Sequence, residues 1–541
     1  MEETTYRDGD VVKLIREKYI AVHVDADARP DLANRYEDFG WPATIVFNSD
    51  GSEIVKRRGY LDPPEMSSML AAIVADPTPG PSVSPEKPVT YTTQTALAPL
   101  LRAILTDRLA ANYDAKLGGW GTDQKYLDWD NTEWSLRQAA TGDKQADIMA
   151  RQTLDAQLNL IDPAWGGVYQ YSVEGDWNHP HFEKIMQMQA ENLRIYSLAY
   201  SQYHDAAYLK AAEDIHKYLA TFLLGPDGAF FTSQDADLID GQYGDDYFKL
   251  SDADRRAKGI PRIDQHQYAR ENGWAIKGLV TLYEAAGDKD ALSQAITAAQ
   301  WVIANRSIAG GGFRHDAKDA AGPYLGDTLA MGQAFLSLYT ATADRAWLMH
   351  AEQAADFIQA HFTSKDFPGL ATVAIDASDR SSVSTAAPAA TAISGNQEFD
   401  ENVAAVRWAN LLSQYDGRTS DRKLAESAMR YLATPAIASN RMGAIGGILL
   451  ADREMSSPAI HIAIVGKKSD AVAMQLFATA LAIPTTYKRV EWYDAAEGPL
   501  PNSDVQYPDL GKAAAFVCTG SACSPPAFTP ESLMTRLSRA K

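Results

Sequence analysis

A single pattern recurs between residues 91 and 455: a helix rich in Ala, Leu and Tyr, a short turn containing Asp, a second helix, then a Gly-rich aromatic closure. The turns are Thr141-Gly142-Asp143, His204-Asp205, Gly287-Asp288 and Ala343-Asp344. The closures are Gly118-Gly119-Trp120, Gly166-Gly167-Val168-Tyr169, Gly228-Ala229-Phe230 and Gly311-Gly312-Phe313. Glycine at such helix ends supplies the positive φ that stops the helix. A solenoid of identical units would hold a fixed period, and these closures are irregularly spaced. The pattern therefore predicts a closed α/α ring (toroid) of helical hairpins with insertions, about eleven or twelve helices in six hairpins.

The flanking segments differ in kind. Residues 1–76 read as a small α/β unit, with strand patterns at 19–24, 43–47 and 53–56 and a helix opened by Pro63 through about Val74. Residues 77–90 carry five prolines and predict a stiff linker without helix. Residues 456–541 return to α/β, with strands at 459–466 and 513–518, a helix from about 470 to 481 and a closing helix from 530 to 537. The Ser-, Thr- and Ala-rich stretch 378–394 predicts a surface loop. The fold class is thus multidomain.

Composition excludes more than it assigns. With 46% hydrophobic and 22% charged residues the 541-residue chain can bury a large core. No apolar run is long enough for a membrane-spanning helix. Fifty Lys and Arg against 70 Asp and Glu leave a formal charge of −20, which repels phosphate backbones and argues against nucleic acid as a partner. The 11 Trp and 25 Tyr, many beside Gly, Asp, Asn or His, suit stacking on a small-molecule ligand such as a carbohydrate; ordinary helix packing accounts for any single one of them as well. Protein partners are not specified by the sequence. The start of the chain has no basic, apolar leader pattern, so a cytoplasmic location is expected.

Candidate site residues cluster in loops between helices. His179-Pro180-His181-Phe182-Glu183 places two histidines and a carboxylate at a loop-to-helix junction. His181 fits acid/base work near neutral pH with Glu183 as its partner; tying the loop to a neighbouring hairpin is the simpler role. Asp235 and Asp237 alternate, so both carboxylates point one way if the stretch is extended; binding hydroxyls or capping a helix would use them equally. Trp165, Tyr171, Asp176, Trp177 and His179 are expected to hold a ligand around them. Glu271, Asn272 and Trp274, with Glu398, Asp400, Glu401 and Asn402, start inner-helix candidates and would reach the same rim, unless they serve only as caps. No third His or Cys lies at metal-ligand spacing, so no metal and no cofactor is expected. Cys518 and Cys523 could form a reversible disulfide or stay as two thiols; either way the chain has no disulfide scaffold.

Several stretches together resemble the thioredoxin-domain family typified by spermatogenesis-associated protein 20. They are Met1-Glu2-Glu3-Thr4-Thr5-Tyr6, Val24-Asp25 with Ala28-Arg29-Pro30-Asp31, and Gly40-Trp41-Pro42-Ala43-Thr44. Further along are Gly119-Trp120-Gly121, Trp165-Gly166-Gly167-Val168-Tyr169, Asp176-Trp177 through Pro180-His181-Phe182-Glu183-Lys184, Ser233-Gln234-Asp235-Ala236-Asp237, and Cys518-x4-Cys523 with Pro525. The resemblance implies a thioredoxin-like domain joined to a six-hairpin barrel similar to those of glycosidases and N-acylglucosamine 2-epimerases, with a small C-terminal segment. It also implies a cis bond at Trp41-Pro42. The family's Cys-x-x-Cys pair would precede Met1, with a strand lying between the partners formed by 19–24 and 43–47. The expectation is a first domain lacking that strand, in a chain begun at an internal Met and without a thiolate for dithiol exchange. The family's acidic-Gly-aromatic stretch reads Asp240-Gly241-Gln242-Tyr243 here, followed by divergent sequence. Two functional readings follow: a sugar isomerase, epimerase or glycoside hydrolase using His and carboxylate chemistry, or a non-catalytic, redox-linked ligand-binding or scaffold protein.

Overall fold

The computed structural model describes residues 1, 4–40, 42–83, 88–239, 241–319, 321–375, 397–508, 510–519 and 522–539. The Trp41-Pro42 bond, Asp240 and the 378–394 loop expected above lie outside the described residues. Among the described residues of 91–455, apolar periodicity has produced twelve long helices, paired as hairpins. The inner members are Trp129–Ala139, Met186–Tyr203, Ala269–Ala286, Leu325–Thr342, Phe399–Asp416 and Ile445–Ser456. Their outer partners are Lys144–Gln157, Ala206–Tyr218, Lys289–Arg306, Arg345–His361, Thr419–Leu432 and Pro99–Ala111. Each inner helix packs on the next, and Ile445–Ser456 packs on both Phe399–Asp416 and Trp129–Ala139. The ring is therefore closed, an α/α toroid around a central hollow.

Two local devices recur among the hairpins. First, the inner helix ends on a left-handed residue such as His204, Gly287, Ala343 or Gly417. The following Asp205, Asp288 or Asp344 then caps the outer helix by accepting its first free N–H groups. Second, an amide in the first turn of an inner helix grips the Gly-aromatic closure before it. The side chain of Asn272 accepts from Phe230 N–H and donates to Phe230 C=O; Asn402 does the same with Leu370, and Gln189 with Val168. The closures also need glycine: a Cβ on Gly166 would lie 2.1 Å from the Asp214 carbonyl oxygen.

In the first unit, an antiparallel hairpin of Ala43–Phe47 and Glu53–Arg58 packs with helices Gly9–Lys18 and Pro63–Ala75 around Val11, Ile54, Met66 and Leu70. The predicted strand at 19–24 is not formed. Ile20 and Val22 are 93% and 76% exposed. An alternating apolar pattern becomes a strand only where a neighbour pairs its backbone groups, and among the described residues none pairs with this stretch.

The C-terminal sheet has the order Lys488–Tyr493, Ile460–Val465, Ala514–Thr519, Ala522–Cys523; its first pair is parallel and the others antiparallel. The strand Lys488–Tyr493 has no apolar signature, because its Lys488, Arg489 and Glu491 look like surface. Their charges are buried and paired: Lys488 with Glu284 at 3.0 Å, and Glu491 with Arg489 and His461 at 2.8 Å each. Tyr415, on an inner helix, donates to the Lys488 carbonyl and accepts from Val490 N–H, which docks this sheet on the C-terminal end of the inner helices. Cys518 and Cys523 face each other across one strand pair and are joined as a disulfide, so they are not two free thiols.

Candidate functional site

The hollow is a cavity of about 1130 Å³ running along the ring axis, ample for a sugar-sized ligand. Its mouth lies at the N-terminal ends of the inner helices. There it is lined by Tyr126, Asp128, Trp129 and Asp130, by Tyr171, His181 and Glu183, by Arg270, Glu271 and Trp274, and by Glu398, Asp400, Glu401 and Arg441. One side of the mouth comes from the first unit, through Asp27, Asn34 and Glu37. Deeper down the wall is Glu191, Arg194, Lys277, Arg407 and Trp408, and the far end is closed by Glu454, Tyr487 and Lys488.

Charge is distributed unevenly along this axis. The deep groups are paired: Arg194 bridges Glu133 and Glu191, Arg407 bridges Glu133 and Glu454, and Lys488 meets Glu284. At the mouth, Arg270 is taken by Glu271 at 2.6 Å and Arg441 by Asp400 at 2.6 Å. Burial pushes the remaining carboxyls up. Glu183 is raised to about 7, with Asp235 and Asp27 adding repulsion. Asp130 is raised to about 8, Glu401 to about 7 and Asp128 to about 6.

His181 and Glu183 lie two residues apart on a short extended stretch and both line the mouth. Pro180–His181 pairs with Tyr171–Ser172, and the imidazole stacks on the Tyr171 ring at 5.0 Å and 15°. Burial holds His181 below its ordinary pKa, against the pull of Asp237 and Asp235. Its Nδ1 is buried without a hydrogen-bond partner. A neutral imidazole beside a carboxyl that titrates near 7 can exchange protons with a bound ligand in either direction.

The other expected residues divide. Glu271 and Asp400 line the cavity with Tyr171, His181 and Glu183. Asp235 and Asp237 do not; they stand behind the wall, where Asp235 lies 3.7 Å from Arg262 and both act on His181 through space. Trp165 is buried away from the cavity, its Nε1 donating to Asp252, with Phe222 and Arg255 against its ring. Trp177 is buried too, donating to the Leu117 carbonyl over Gly119. His179 pairs with Asp176 at 3.0 Å in an outer loop. Asn272 is spent on the Phe230 clamp. These five serve packing and loop closure.

Asp27, Trp129, Asp130, Arg270 and Arg407 join the cavity without a motif of their own to announce them. A usable signal exists nonetheless: Asp130-Asn131, Glu271-Asn272 and Glu401-Asn402 each open an inner helix. Asn272 and Asn402 are turned to the closures, whereas Asn131 donates to Asp128 and accepts from Gly446 N–H; in all three the acid one position earlier lines the hollow.

No family model matches the chain. Over 273 residues it is 26% identical to spermatogenesis-associated protein 20 of Homo sapiens, covering 44% of this chain and 34% of that protein. The same protein of Rattus norvegicus is 24% identical over 273 residues, with the same coverage. The chain spans about a third of the length of the curated relatives it matches. Among solved structures it is similar to a D-mannose isomerase (12% identical, TM-score 0.48, 68% of this chain and 99% of that one). It is also similar to the cellobiose 2-epimerase of Bacillus thermoamylovorans (11% identical, TM-score 0.47, 62% and 88%).

Proposed function

We propose that the chain is a carbohydrate-active α/α barrel, a sugar isomerase, epimerase or glycoside hydrolase that works by proton transfer between His181, Glu183 and the ligand. The observation that carries this reading is the pair itself: a neutral imidazole with a free Nδ1 and a carboxyl held near 7, two residues apart on one wall of a closed hollow. In an isomerisation the imidazole would take the proton from the carbon beside a sugar carbonyl while the protonated carboxyl gives one to the carbonyl oxygen. Reversal at the neighbouring carbon, or on the opposite face, would complete the change. Trp129, Trp274 and Tyr126 would supply flat faces for the ring. The first unit is read as a thioredoxin-like domain, a reading supported by its hairpin and flanking helices.

The test incubates the full chain with neutral aldoses, the matching 2-ketoses and short glucosides and mannosides, following products by NMR. Turnover that disappears in His181→Ala and Glu183→Gln supports the reading; turnover unchanged in both removes this mechanism.

A further inference from the structure

The cavity is neutral in its depth and acidic at its mouth, and the excess has a specific origin. Asp27, Asp130, Glu183 and Glu401 line the mouth, and among the described residues none has an ion-pair partner. The nearby guanidiniums, Arg270 and Arg441, are already committed to Glu271 and Asp400. Capping and dipole pairing at helix N-termini explain Asp128 and Glu398, which accept the first N–H groups of their helices. They do not explain Asp27, in a loop of the first unit, or Glu183, ahead of its helix. A second observation points to a ligand. Glu271, 3% exposed, lines the cavity and offers a buried Oε2 with no hydrogen-bond partner. Buried polar atoms without partners are rare in folded chains.

We propose that the mouth is a subsite for an ammonium group, built jointly by Asp27 of the first unit and by Glu271 and Glu401 of the ring, so that the sugar taken is an amino sugar with a free amine. The proposal rests on the carbohydrate reading above and adds the substrate class. The same field repels sugar phosphates and uronates. The first unit thereby contributes to the site directly, by delivering the carboxylate that the ring lacks on that side. A raised carboxyl pKa at Asp27 accords with an acid awaiting a cation.

Isothermal titration of the full chain with glucosamine, N-acetylglucosamine, glucose and methylammonium tests this. Glucosamine should bind at least about tenfold tighter than glucose and N-acetylglucosamine, and Asp27→Asn and Glu401→Gln should each shrink that ratio severalfold. Melting curves identify a variant that fails to fold, and the other then carries the test. Equal affinity for glucosamine and glucose overturns the ammonium subsite and leaves the sugar reading standing. A preference that survives both substitutions overturns its location. Saturable methylammonium binding, lost in the variants, with no sugar bound, supports the subsite and removes the sugar reading. No binding of any probe overturns both.

Discussion

His315 Nε2 donates to the carbonyl oxygen of Asp27 at 2.7 Å, fastening a loop of the first unit to the ring. A carbonyl can only accept, so Nε2 carries a proton, and Nδ1 lies 2.8 Å from Asp327. Both nitrogens thus donate, and the ring stacks on Tyr268 at 4.0 Å. This contact sets where Asp27 stands in the mouth.

The imidazolium makes the attachment pH-dependent. Burial opposes the charge, but the Asp327 carboxylate outweighs it and holds His315 at about 9. A pKa raised above the unfolded value stabilises the protein fully below about pH 6.5, and the contribution is lost as pH rises through about 9. Its size is of the order of 3 kcal/mol. Urea titrations of the wild type should show stability falling between pH 7 and 9.5, and His315→Gln should flatten that fall. An unaltered slope in the variant would contradict the ion pair.

Glu183 acts with the opposite sign. Its carboxyl, raised to about 7 by burial, binds a proton more tightly in the fold than in the open chain. That costs stability as pH rises from about 4.5 to 7, by roughly 3 kcal/mol at neutral pH and above. Glu183→Gln should therefore melt higher than the wild type at pH 8 while losing turnover. Calorimetry at pH 5 and pH 8 checks this; a gain of equal size at both values would mean that the carboxyl does not titrate between them.

His181→Ala should lower kcat for a verified sugar by about 100-fold or more, with a modest fall in Tm from the lost stacking on Tyr171 and no hydrogen bond of Nδ1 to lose. Steady-state kinetics beside thermal melting separates loss of chemistry from loss of fold.

The clamps should behave as structure. Asn402→Ala leaves Leu370 N–H and C=O buried and unpaired, a cost of about 3 kcal/mol. Gly166→Ala places a methyl against the Asp214 carbonyl at positive φ and should cost at least about as much. Both are read by denaturant midpoint, and wild-type stability in either would refute the packing described.

Sequence alone determined the ring's parts. Helix periodicity, Asp caps and glycine stops are local signals, so the hairpin turns at His204-Asp205, Gly287-Asp288 and Ala343-Asp344 could be read from neighbours in the chain. His181 and Glu183 were legible for the same reason, as a short motif ahead of a helix. Which face each side chain presents was decided by the tertiary structure. Asn272 and Trp165 looked like ligand contacts and became packing, since the Phe230 clamp and Asp252 claim them. Asp27 and Asp130 had no motif and reached the mouth because ring closure and the His315 contact carried them there. Strand 19–24 shows the converse: its residues favour a strand, but a strand needs a partner, and pairing is a property of two segments rather than one.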